Sequence, residues 1–172
     1  MILSSVLFSL LHECGHLAAM LWFDCKPQEI RFAAFGMEIR RAAGIRMSYR
    51  QEMLVLLAGP AINLILAVIF TLGGVFFQAG LPDTAVVNLI LGAFNLLPVS
   101  GTDGGQALYC ALARHLSERG THWLCSGISF VFLCCLYTLV FFLTLRGRFP
   151  FSLLGVLVYL TVMTLLRLPA SQ

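Results

Sequence analysis

The chain has 172 residues, 59% of them hydrophobic and only 11% charged, and its mean hydropathy is +0.91. That excludes an ordinary water-soluble domain and predicts a single integral membrane protein. The formal charge of +3 comes with no polybasic run and no interleaving of basic and aromatic residues, so nucleic acid is excluded as a partner.

The first predicted element is an apolar helix over residues 1–23. It lacks a basic leader and is read as a retained span rather than a removable signal. A basic connection follows, carrying Lys26, Arg31, Arg40, Arg41, Arg46 and Arg50. Its positive charge places it on the cytoplasmic side. Within it residues 29–41 alternate in part, with Gly36 as the bend, which predicts a short membrane-associated β-hairpin over about residues 28–41. An irregular basic loop is the alternative.

Further apolar spans are predicted over residues 51–78, 84–97, 123–145 and 149–168, giving about five in all. Residues 79–83 form a short outer turn. The third span is short, about 20 Å at helical rise. The Pro/Gly-rich loop 98–105 that follows it lies at membrane depth, where irregular backbone must be buried in protein or line a wet cavity. Residues 106–116 continue as an amphipathic stretch. The fold class is therefore all-α and polytopic, with a core over residues 1–117 and additional transmembrane helices over 118–172.

The chemistry lies in the first span. His12 and His16 stand at i and i+4, on one face of a helix, with Glu13 between them. That spacing lets two imidazoles bind one zinc while the glutamate reaches the water beside it. Three such polar residues are expensive in lipid and mark a functional site. A catalytic zinc needs a third protein ligand. Asp103, in the Gly-rich loop beside Gly104 and Gly105, is the candidate. Asp83 reads as a turn residue and Glu52 as a helix N-terminal charge. Asn95 is a candidate donor to substrate, or else a cap on the broken third helix. Asn63, one turn after Pro60, either repairs backbone groups freed by the proline or bonds a neighbouring helix. His115 and His122 read as solvated. The six cysteines, Cys14, Cys25, Cys110, Cys125, Cys134 and Cys135, form no CxxC pair and suggest neither a disulfide framework nor a thiolate metal site. An edge strand at Phe35, Gly36 and Met37 would hold an unwound substrate by strand addition.

Three motifs stand in order: His12-Glu13-x-Gly15-His16, then Ala58-Gly59-Pro60-x-x-Asn63, then Asn95-x-x-Pro98-x-x-x-x-Asp103-Gly104. Together they resemble the signatures of the site-2 protease family (peptidase family M50) of intramembrane zinc metalloproteases, over residues 8–106. The short connection between the second and third spans resembles the compact branch without a PDZ domain, which includes the sporulation protease acting on a pro-sigma factor. The resemblance implies a three-helix catalytic core with His12, His16 and Asp103 as zinc ligands and Glu13 as base. It implies a membrane-protein substrate with a transmembrane segment, a lipid-bilayer setting and a regulatory membrane partner. It also implies a multi-pass protein of a bacterial plasma membrane, with its active site opening to the cytoplasm.

The alternative is a catalytically silent relative that binds membrane helices, which loss of Glu13 or of a ligand would favour; neither is lost. A membrane di-iron oxidase would need more histidines than the four present. A metal transporter would need repeated intramembrane acidic and histidine sites.

Overall fold

The computed structural model describes residues 2–25, 27–33, 36–41, 47–77, 82–147 and 150–166. Phe35 and most of the predicted outer turn, residues 79–81, lie outside the described residues. The chain divides into two compact units, Met1–Leu96 and Leu97–Gln172.

In the first unit, helix α1 spans Ile2–Trp22. Its end is a Schellman-type cap: Cys25 N–H donates to the Met20 carbonyl at 2.9 Å and Asp24 N–H to that of Leu21 at 3.0 Å. Asp24 takes the left-handed position, φ 54°, which aspartate tolerates better than most residues. Two strands follow, β1 (Pro27–Ala33) and β2 (Gly36–Arg41). Their backbones pair antiparallel, Ile30 opposite Ile39 and Ala33 opposite Gly36, with an irregularity between Pro27 and Glu29.

Helix α2 spans Tyr49–Phe76 and starts with a capping box. Ser48 Oγ accepts from Gln51 N–H at 3.3 Å, and Gln51 Oε1 accepts from Ser48 N–H at 3.0 Å. Helix α3 spans Asp83–Asn95. It is only 13 residues long, as its short apolar run predicts.

α1 and α2 run antiparallel, and the cross-contacts form a ladder. His16 meets Val55, Gly15 meets Ala58, His12 meets Asn63 and Phe8 meets Phe70. Gly15 sets the spacing of the two helices. A Cβ there would lie 2.8 Å from the Ala58 carbonyl oxygen, so only glycine allows this approach. On the other side of α2, Gly92 of α3 leaves room for Asn63 and Leu64, which a Cβ would meet at 3.3 and 3.1 Å.

The second unit holds the 97–102 loop and helices α4 (Asp103–Leu112), α5 (Glu118–Leu145) and α6 (Phe151–Leu166). The sequence reading puts Asp103 inside an irregular loop running to residue 105. Instead, α4 begins at Asp103. Thr102 is its N-cap, accepting from Gly105 N–H at 3.2 Å. The same hydroxyl donates toward the carbonyls of Leu97 (2.6 Å) and Val99 (2.9 Å). Gly105 packs so closely on the Val99 carbonyl that no side chain fits. α5 also pins the loop: Ser100 N–H donates to Ser129 Oγ at 2.9 Å, and Ser129 Oγ donates to the Cys125 carbonyl at 2.8 Å.

Among the described residues, α2 and α5 are long and apolar enough to cross a membrane, and both leave large apolar side chains such as Ile65, Leu72, Phe130 and Phe141 exposed. At 28 residues each is about 42 Å long, more than the ~30 Å of a hydrocarbon core. The other expected spans correspond to α1, the short α3, and α6 with its apolar stretch Leu153–Leu165.

Candidate metal centre

Helical geometry alone brings the two imidazoles together. At 3.6 residues per turn, His12 and His16 fall one above the other on α1. Both are buried, 5% and 8% exposed, and their rings meet edge to face with centroids 4.8 Å apart. The Nε2 atoms are 3.1 Å apart. Two nitrogens on a tetrahedral zinc, each about 2.0–2.1 Å from it, would be separated by roughly 3.3 Å. The pair therefore fits a zinc.

Which nitrogen carries hydrogen is decided by α2. His16 Nδ1–H donates to the Val55 carbonyl at 2.8 Å. A carbonyl only accepts, so this bond leaves His16 Nε2 with a bare lone pair. His12 Nδ1 lies 3.0 Å from Asn63 Oδ1. With that oxygen accepting, His12 Nε2 is bare as well. Such outer bonds fix the tautomer and orientation of metal-ligating histidines. Two bare lone pairs 3.1 Å apart repel each other unless a cation or a hydrogen lies between them.

Space for the rings comes from a residue with no side chain. A Cβ on Gly59 would collide with His16 Nε2 and lie 2.6 Å from His16 Cε1 and 2.8 Å from His12 Nε2. The same helix supplies the two Nδ1 partners, Val55 one turn before Gly59 and Asn63 one turn after it. None of these three roles follows from residue spacing within one helix. Asn63 was legible only as a polar residue after a proline. Of the two readings open to it, the bond to a neighbouring helix is the one found.

Asn63 is fully buried and, among the described residues, its Nδ2 has no hydrogen-bond partner. An unmet buried donor costs about 1–3 kcal/mol, so this is an expensive place for an amide. Glu13 is half-buried on the same helix as the pair. Asp103 is half-buried in the first turn of α4, where the helix dipole favours a carboxylate. Asn95 donates through Nδ2 to the Leu91 carbonyl of its own helix at 3.1 Å. Gly36 and Met37 open β2. His122 sits against Tyr109, its Nε2 3.3 Å from the phenol oxygen.

No family model matches the sequence. The chain is 28% identical over 114 residues to zinc metalloprotease MJ0392 of Methanocaldococcus jannaschii, covering 60% of this chain and 32% of that protein. It is 26% identical over 126 residues to stage IV sporulation protein FB of Bacillus subtilis, covering 72% of this chain and 44% of that protein. Its fold matches the structure of the site-2 protease from Methanocaldococcus jannaschii, with TM-score 0.69 at 20% identity, over 99% of this chain and 78% of that one. These likenesses, two in sequence and one in fold, all point to site-2 proteases and their zinc metalloprotease relatives. The chain's matched regions span less than half the length of either curated relative. The His12–His16 pair, the Gly59 gap and the Asn63 bond form one construction shared by α1 and α2.

Proposed function

We propose that the protein is an intramembrane zinc endopeptidase that hydrolyses peptide bonds in or near the transmembrane segments of other membrane proteins. The observation that carries this reading is the histidine pair: two buried imidazoles whose Nδ1 atoms are engaged by α2 and whose Nε2 atoms converge at 3.1 Å. Zinc would be held by His12, His16 and Asp103. When bound, it supplies Lewis-acid chemistry that polarises a peptide carbonyl and brings the pKa of a water toward ~7.

Glu13, inside the motif, accepts the proton of the attacking water and returns it to the leaving amine. The substrate helix must unwind first, because an intact helix ties up its carbonyls in its own hydrogen bonds. The edge of the β1–β2 pair, at Gly36 and Met37, holds the unwound segment by strand addition, with Phe35 next to them in the sequence as a further substrate contact. Asn95 donates to the bound substrate.

The protein is multi-pass, with about five transmembrane helices, in a bacterial plasma membrane. Residues 1–117 form the catalytic core and 118–172 add further spans. The basic residues between α1 and α2 face the cytoplasm, and the site opens to that side. A regulatory membrane partner controls access.

The test is co-expression with a panel of single-span membrane proteins, comparing the intact chain with Glu13→Gln. Cleavage by the first and not the second is the expected result. A panel left equally uncut by both would remove the endopeptidase reading for those substrates, and equal cutting would remove Glu13 as base.

A further inference from the structure

We infer that Asn63 is a two-faced positioning residue: its amide turns over to serve whichever tautomer His12 adopts, so that the histidine pair is hydrogen-bonded without metal and ready to bind with it. The inference rests on the zinc reading above, and it starts from an asymmetry. His16 is held by a main-chain carbonyl, Val55, which accepts and never donates. Its Nε2 is therefore bare in every neutral state. His12 is held by a side chain with an acceptor on one face and a donor on the other.

With Oδ1 toward His12, the ring carries its hydrogen on Nδ1, and both Nε2 atoms present lone pairs to each other at 3.1 Å. That arrangement suits a cation between them. With the amide reversed, Nδ2 donates to a bare His12 Nδ1. The ring hydrogen then sits on Nε2 and is donated to His16 Nε2. The reversed state gains a hydrogen bond between the histidines. It also pairs Nδ2, which has no partner among the described residues in the first state, and leaves in its place Oδ1, an acceptor, rather than a two-hydrogen donor.

The change between the two states is balanced. His12 Nε2 gives up one proton to water and His12 Nδ1 takes one up, so the protein's charge does not alter. Little else can move. Asn63 is fully buried, and its Cβ would lie 3.3 Å from any Cβ added at Gly92. Rotation of the amide about its last bond is the motion left to it. A leucine of similar size would fill the same space and serve neither tautomer. An ionised aspartate would serve only the metal-ready one.

The experiment uses the full chain in detergent with isotope-labelled histidine, read by NMR at a mildly alkaline pH. Without metal, His16 is expected with hydrogen on Nδ1 and His12 with hydrogen on Nε2. Added zinc is expected to move the His12 hydrogen to Nδ1. His12 carrying its hydrogen on Nδ1 in the metal-free protein would overturn the inference. In Asn63→Leu, zinc affinity by chelator competition is expected to fall by about 10- to 100-fold, the usual effect of losing an outer partner. Asn63→Asp is expected to restore most of it, and undiminished affinity in Asn63→Leu would also overturn the inference. If the wild-type chain binds no zinc, the zinc reading fails, while the metal-free tautomer still decides the role of Asn63.

Discussion

At the scale of single residues, the site is built from small choices that each forbid alternatives. Gly59 is the sharpest, because its missing Cβ is the space the imidazoles occupy. Gly59→Ala must push both rings out of line. Zinc affinity is expected to drop by about tenfold or more, as when outer support for a ligand is lost, and metal analysis after dialysis checks it. Asp103→Ala removes a proposed ligand and is expected to leave the purified chain clearly short of the one zinc per chain that the intact ligand set implies. Undiminished zinc in that variant would take Asp103 out of the site. Glu13→Gln keeps the size and most of the hydrogen bonding of the glutamate but cannot accept a proton. The variant is expected to retain zinc and lose hydrolysis by about 10²–10⁴-fold, measured on a cleaved substrate.

At the scale of elements, the positions of helix ends carry most of the information. The short α3 ends at Asn95, and the chain reaches α4 through a loop tied down by Thr102 and by Ser129 of α5. Ser129 receives the Ser100 N–H and passes its own hydrogen to Cys125. Ser129→Ala leaves that N–H without its partner, at a cost of about 1–3 kcal/mol if it stays buried. Thermal unfolding of the variant is expected to begin at lower temperature, and an unchanged midpoint would mean that the loop is held by Thr102 alone. The β1–β2 pair belongs to this scale too. Proline at Met37 removes a main-chain donor from β2. It is expected to impair cleavage while sparing zinc binding, and unimpaired cleavage would place the substrate elsewhere.

At the scale of the whole molecule, charge and apolar length set the orientation in the bilayer. Five basic residues between α1 and α2, with Arg50 in the first turn of α2, predict that side to be cytoplasmic. Single cysteines in a background lacking the native six test it. Positions 27–50 are expected to react with an impermeant thiol reagent from the cytoplasm, and positions 79–83 from outside. The reverse pattern would overturn the topology and the inward release of products.

The histidine pair was legible in the sequence because it depends on one helix only. A period of 3.6 residues puts i and i+4 on one face whatever surrounds it. The apolar runs were equally legible, since length and composition decide them locally: α2 was expected over residues 51–78 and spans Tyr49–Phe76. The start of α4 was misjudged because Gly104 and Gly105 read as loop residues. Only the close packing of Gly105 on the Val99 carbonyl, and the Thr102 cap, make helix the better state there. What tertiary structure alone decided is which groups of α2 face the imidazoles. The Val55 carbonyl, the Gly59 gap and the Asn63 amide are distant in sequence from His12 and His16. No local pattern specifies the depth at which two helices cross, and that register, set by the close approach at Gly15, turns two histidines on a helix into a pair with its outer nitrogens engaged and its inner ones facing each other.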